Sequence, residues 1–466
     1  MATIDPFIEA WDLRELVRNG DLRPCEVAEF FLARIERYNP TLGAYMTVTA
    51  DRALADAKRI EADRANAATM PLYGIAYSLK DLTPTRDIIT TSGSRNYQHS
   101  LPVDDAVIAV KLRDAGGILL GKTTTPEFGG RPTTEGGLCP IARNVWNLDH
   151  NAGGSSGGAA AQVAAGLGPL AEGSDGGGSI RGPSSNSGVV GLKPSRGRLT
   201  YSPFRGEAWG GFATRGPIAR TVRDVALMLD VLSGPAIGDP YWAPPPERPF
   251  VEAVKFVPRK LRLAAIAETK LGPVDQDVAR AFEAACNAMV EMGHSVEAID
   301  LDPGAMLLDC ARSLITVGIA AIPIANLEWV DPVVREMFRE GQKLSAADYV
   351  NLVAVMHNTA RKIVEHLDPF DALLTPTMTM PAMRNGTFPS RPERYLDELW
   401  TWIAFEYPFN ATGQPAITLP AGFTGNGLPI GLQIVGRPNG EFELLSLAAA
   451  WETARPWKDK RPPLFP

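Results

Sequence analysis

Apolar residues recur at three- and four-residue spacing along the first part of the chain, and the pattern then changes. Residues 12–18 and 24–38 carry this spacing, with Val27, Phe30, Phe31 and Ile35 on one stripe, and predict two helices. Pro24 suits the first turn of the second, after the break at Gly20 and Asp21. Residues 50–66 predict a third helix, charged on its outer face. Beyond Pro71 the texture differs. Residues 72–79, LYGIAYSL, form an apolar run with aromatics, as a buried strand would, and end on Lys80 and Asp81.

Strand-like and helix-like segments then alternate. Residues 106–115 predict a helix, 117–121 a short buried strand, and 159–165 a small-residue helix able to pack closely. Residues 259–301 hold a strand (LRLAAIA), a helix over 274–292 and a strand (HSVEAID), a βαβ-like unit. Residues 370–374 and 416–419 are further strands, 428–435 alternates less cleanly, and 442–455 is a closing helix. The fold class is therefore α/β: a large twisted mixed, mainly parallel sheet with helices on both faces. No fixed-period repeat or low-complexity linker divides the chain. It reads as one unit over 1–466 with a helical portion at 1–68, and the proline-rich 240–249 reads as a surface loop rather than a boundary.

Composition narrows the function. At 45% apolar residues and a net charge of −7, the chain can build a large core and lacks the basic character of a nucleic-acid binder. The basic run 455–461 is short and interrupted by Pro456, so it reads as a solvated terminus. Cys25, Cys139, Cys286 and Cys310 are far apart, which argues for reduced thiols in a cytoplasmic protein, not zinc or a disulfide framework. Asp5 and Glu9 sit where a signal peptide would need basic and then apolar residues. Residues 314–327 are apolar but contain Pro323 and are too short to cross a bilayer, so no membrane partner is expected.

The chemistry concentrates in residues 151–199, where glycines flank serines twice. Ser155 and Ser156 precede a helix, and Gly176, Gly177, Gly178 and Ser179 follow it. This arrangement could bring both serine clusters to one end of a sheet, and consecutive glycines leave N–H groups free to converge on an anion. A phosphate-binding loop would need GxxxxGK[ST] or GxGxxG, and neither is present. Residues 153–157 do match the GxSxG nucleophile elbow, which also demands a histidine; His294, His357 and His366 have no supporting signature. Purely structural glycine turns are the remaining reading. The glycine pattern alone does not say which serine attacks.

The segment resembles the amidase signature family, in GGSSGG (153–158), GSDGGGSIR (173–181) and GVVGLKP (188–194). The likeness extends to PLYGIAYSLKD (71–81), DALLTPTMTMPA (371–382), PFNATGQPAITLPAG (408–422) and GLPIGLQIVG (427–436), nearly the whole chain. The resemblance implies the amidase signature fold and hydrolysis of a small-molecule amide or carbamate (urethane) without a cofactor or metal. It implies Ser179 as nucleophile, Ser155, after a cis peptide bond, as bridging serine, and Lys80 as general base. Gly176, Gly177, Gly178 and Ser179 would supply the oxyanion hole, and Asp175 and Arg181 would brace the loop. A lysine can act as base only when neutral, which burial favours.

The chain departs from the family pattern at two places. Gly176 stands where threonine is frequent, which should widen the loop's freedom, and NSG (186–188) replaces the usual FCG. The family also contains the glutaminase subunit of a tRNA-dependent amidotransferase, in which GGSIRQP is usual; this chain has Gly182 there. A homodimer is compatible with the pattern. The region of about 305–405 is expected to shape the substrate pocket, its Leu314, Ile319, Ile322, Met337, Phe338, Trp400 and Trp402 favouring bulky apolar or aryl substrates.

Overall fold

In chain order the strands of the computed structural model, which describes residues 4–389 and 394–465, are β1 (Tyr45–Val48), β2 (Ile75–Lys80), β3 (Gly117–Thr123), β4 (Leu170–Asp175), β5 (Val190–Lys193), β6 (Thr214–Ala219), β7 (Arg262–Ala265), β8 (Ser295–Ala298), β9 (Ala372–Pro376), β10 (Ala416–Phe423) and β11 (Pro429–Gly436). They form one sheet in the spatial order β1-β3-β2-β4-β6-β5-β10-β11-β9-β7-β8. Every position of β2, β3, β5, β6, β9 and β11 is buried, so both faces of the sheet are covered there. This is why residues 428–435 fail to alternate: β11 has no solvent face.

The sheet is mixed, but parallel pairing is not the majority. Only β3 with β2, β2 with β4, β9 with β7, and β7 with β8 run parallel. The other six neighbouring pairs are antiparallel. Parallel neighbours require a crossover of a dozen or more residues. The chain between β10 and β11 instead turns back at once, with Thr424 N–H donating to Leu428 O at 2.8 Å. The expected unit over 259–301 is present, its two strands parallel with Arg262 opposite Ser295.

Several elements differ from their sequence reading in ways that matter for the site. The strand read over 72–79, running out on Lys80 and Asp81, is β2, which begins only at Ile75 and has Lys80 as its last residue. Likewise β3 runs past Gly121 to include Lys122 and Thr123. The two serine turns enclose not one helix but the Gly157–Ala164 helix followed by β4. The first half of the apolar stretch at 314–327 belongs to a longer helix, Pro303–Ala320, started by Pro303 and capped by Asp302 accepting from Ala305 N–H; the rest, with Pro323, lies beyond its end. By length and composition this helix could cross a membrane, yet half of it is buried within the protein. The segment 240–249 is an exposed connection, as a surface loop should be.

Two apolar clusters organise the packing. One fills the space around the sheet and the N-terminal helices; the other gathers the helices Pro303–Ala320, Pro332–Gly341, Ala346–Leu367 and Tyr395–Trp402 beside Phe128 and Phe212.

Candidate active site

Because β2 and β4 pair in parallel, with Tyr77 opposite Leu170 and Ser78 opposite Ala171, their C-terminal ends lie side by side. Lys80 leaves one end and Ser174 and Asp175 the other, the edge at which sheets of this kind hold ligands. The Gly154–Ser155 peptide bond is cis, and Ser156 N–H donates to Ser179 O at 3.1 Å. The two serine turns therefore meet.

Lys80 is fully buried among hydroxyls. Its Nζ lies 2.8 Å from Ser155 Oγ, 2.9 Å from Ser156 Oγ and 3.0 Å from Ser174 Oγ, with Ser174 O at 3.4 Å. Burial lowers its pKa to about 7, against the opposing fields of Glu172 and Asp175 and with the help of Arg215. A large fraction of this amine is then neutral near neutral pH.

Ser155 and Ser179 line one cavity of about 380 Å³, together with Gly176 and the aromatic rings of Tyr97, Phe128, Tyr201, Phe204 and Trp209. Ser179 and the three glycines before it also line a smaller recess of about 40 Å³, closed by Ile315, Tyr395, Leu399 and Ile403. Of the seven apolar residues expected to shape the pocket, Ile322 alone lines the larger cavity. Ile319, Met337, Trp400 and Trp402 belong to the core, Phe338 packs against it, and buried Leu314 also borders an outer groove. The aromatic wall comes instead from segments around residues 97–128 and 201–209, which gave no such signal in sequence.

The loop over Gly176–Ser179 is held from below. Asp175 Oδ1 accepts Gly178 N–H at 2.8 Å, and Oδ2 accepts Ile180 N–H at 3.1 Å. Arg181 closes a two-point pair on the same carboxylate, 2.9 Å at each contact, and Asn410 Nδ2 adds a bond at 2.9 Å. Burial alone would raise the pKa of Asp175, but Arg181 and Asn410 outweigh it and hold the carboxyl well below its usual range. Gly178 N–H is thus already taken, so the oxyanion set expected from sequence loses one member. The N–H groups of Gly176, Gly177 and Ser179 meet no protein acceptor among the described residues.

Sequence reading passed over several residues here. Ser156 and Ser174 contact Lys80 directly, although both lay inside the quoted motifs. Asn410 and Gln433, the latter accepting from Arg181 Nη1 at 2.7 Å, sit in the C-terminal motifs. Glu172 is buried, accepts the backbone N–H of Lys80 at 3.0 Å, and pairs with Arg215 at 2.9 Å. No isolated signal marked Arg215, which reaches the site because β6 lies antiparallel to β4 with Ser174 opposite it.

The elbow alternative finds no support. Ser155 meets Lys80, and no histidine lines either space. His294 Nδ1 accepts Leu261 N–H at 3.2 Å in the β7–β8 region, and His357 and His366 lie on the Ala346–Leu367 helix. Among the described residues no group of three His, Cys, Asp or Glu side chains could hold a metal ion.

The chain is similar to known amidases along nearly its whole length. The family model described as Amidase matches residues 26–445. An acylamidase of Rhodococcus erythropolis is 36% identical over 98% of this chain and 97% of its own. The solved structure of 6-aminohexanoate cyclic dimer hydrolase complexed with substrate superimposes with a TM-score of 0.92 at 32% identity, covering 99% of this chain and 100% of that one. A bacterial aryl acylamidase of the amidase signature enzymes has a TM-score of 0.88 at 28% identity, covering 97% of each chain.

Proposed function

The chain belongs to the amidase signature family and is a hydrolase of non-peptide carbon–nitrogen bonds; from that premise we propose that it cleaves aryl or otherwise bulky apolar amides and carbamates through a Ser179 acyl-enzyme. The observation that carries this reading is the 2.8 Å contact between Lys80 Nζ and Ser155 Oγ below the cavity that Ser155 and Ser179 share. A serine hydroxyl needs a base within reach, and a buried lysine with a pKa of about 7 can be one.

Neutral Lys80 accepts the Ser155 proton as Ser155 accepts that of Ser179. Ser179 Oγ then bonds to the substrate carbonyl carbon, whose oxygen becomes an anion received by the N–H groups of Gly176, Gly177 and Ser179. Such donors act most strongly on charge that develops during the reaction. Collapse breaks the carbon–nitrogen bond, and the proton held by Lys80 returns through Ser155 to the leaving nitrogen. The amine departs and an ester on Ser179 remains. Water repeats the sequence: its proton passes to Lys80, its oxygen bonds to the acyl carbon, and the returned proton restores the Ser179 hydroxyl as the acid leaves.

The aromatic lining of the cavity supports aryl substrates, because flat rings stack or meet edge to face with such walls. The acylamidase and aryl acylamidase relatives support the same choice of bond. The test is turnover of a panel of anilides, primary amides and phenylcarbamates by the purified chain. Hydrolysis of anilides or phenylcarbamates that disappears in Ser179→Ala is the expected result; retained activity in that variant overturns the reading.

A further inference from the structure

Trp209 fills space that two glycines leave open. A Cβ on Gly176 would stand 2.5 Å from Trp209 Cζ3, and one on Gly318 would stand 2.2 Å from its Cδ1. The indole is therefore clamped between the nucleophile loop and the Pro303–Ala320 helix, one ring edge on each. Its backbone has φ of +58°, and the turn that follows is tied by Glu207 accepting Gly211 N–H. Gly176 does not give the loop freedom, as its sequence suggested; its missing side chain makes room for this ring.

Trp209 also borders three spaces at once. These are the 40 Å³ recess, the 380 Å³ aromatic cavity, and an outer groove of about 430 Å³ running along Gly318. Of the two spaces that Ser179 touches, Ser155 borders only the larger. In the reading above, the proton for the leaving nitrogen arrives from Ser155, so the nitrogen must face the larger cavity. The acyl substituent, on the other side of the carbonyl, is left with the recess, which has roughly a tenth of that room.

We propose that Trp209 is a specificity-determining wall, orienting substrates with a bulky aryl amine in the aromatic cavity and a short acyl group in the recess. This rests on the Ser179 acyl-enzyme reading and adds the direction in which the substrate lies. The ring keeps the recess small by separating it from the outer groove.

Two naphthyl amides with their parts exchanged test it: N-(2-naphthyl)acetamide, with a short acyl group, and N-methyl-2-naphthamide, with a bulky one. The full-length protein should favour the first by more than tenfold in kcat/KM. Trp209→Ala should reduce that preference at least fivefold by raising turnover of the naphthamide. Because the ratio is taken within one protein, a loss of folded fraction does not alter it. A wild-type preference that is absent or reversed, or a ratio unmoved in Trp209→Ala, overturns the proposal while leaving the acyl-enzyme intact. Turnover of either amide by Ser179→Ala would instead overturn the reading beneath it.

Discussion

Glu172 accepts the backbone N–H of Lys80 at 3.0 Å and leaves the side-chain amine of that residue to hydroxyls. The carboxylate is spent on Arg215 and Thr83, so among the described residues the Lys80 amine has no ion-pair partner to fix its charge. Protonation should therefore switch activity off on the acid side. We expect kcat/KM to rise with pH through a midpoint near 7. Glu172 opposes the lowering of the Lys80 pKa, so Glu172→Gln should move this midpoint to lower pH. Lys80→Ala should lose the limb altogether and cost about 10²–10⁴-fold in rate, the usual worth of a positioned base. A pH–rate profile on an anilide checks all three.

Ser179 and Ser155 should fail differently. Removing a nucleophile that acts in concert with its base costs on the order of 10⁶-fold. Ser155→Ala interrupts the proton path but keeps the attacking oxygen, so a loss of about 10²–10⁴-fold is expected. Mass spectrometry after quenching should find an acyl adduct in wild type and, more slowly formed, in Ser155→Ala, and none in Ser179→Ala.

Asp175→Asn leaves Arg181 buried without its partner. Breaking a buried pair in this way costs about 3–5 kcal/mol. Since the folded state holds the Asp175 carboxyl below its usual range, its contribution is present above the unfolded value of about 3.9 and is lost as pH falls below that. The stability gap between variant and wild type in denaturant titrations should therefore be full at pH 7 and narrow toward pH 3.

Glu406 behaves in the opposite sense. Its carboxyl oxygens are buried and, among the described residues, make no hydrogen bond of full geometry, the backbone N–H of Gly182 giving only a weak opposing pull; a Cβ on Gly178 would stand 2.3 Å from Oε2. Burial holds its pKa well above the ordinary carboxylate value, against the field of Arg181. Between the unfolded and folded values the native state carries the extra proton, so stability falls as pH rises, by up to about 1.4 kcal/mol per pH unit. Glu406→Gln removes this slope. Its thermal midpoint relative to wild type should climb between pH 4.5 and 7.

Legibility in the sequence followed local pattern. The buried character of β2 was plain in LYGIAYSL, and the paired serine turns were plain in their glycines. What the chain alone did not reveal was direction and partnership: β5 has only four residues, and β6 is interrupted by Gly216 and Pro217, so neither shows a period. Lys80 on its own resembles a surface charge at a strand end, and only the motif context placed it inside. Asn410 was visible inside a motif but had no reason to be singled out until Asp175 was seen beside it. Trp209 had no signal at all, because its role depends on what Gly176 and Gly318 lack.

The floor of the site is made of the sheet itself. Lys80 is the last rung of β2, Asp175 the last of β4, and Arg215 belongs to β6, all fastened by ladder bonds within the core. Elements at the heart of a sheet open only when the whole molecule does. Lys80, Asp175 and Arg215 thus have no melting transition of their own, and should hold their places up to the temperature at which the sheet is lost.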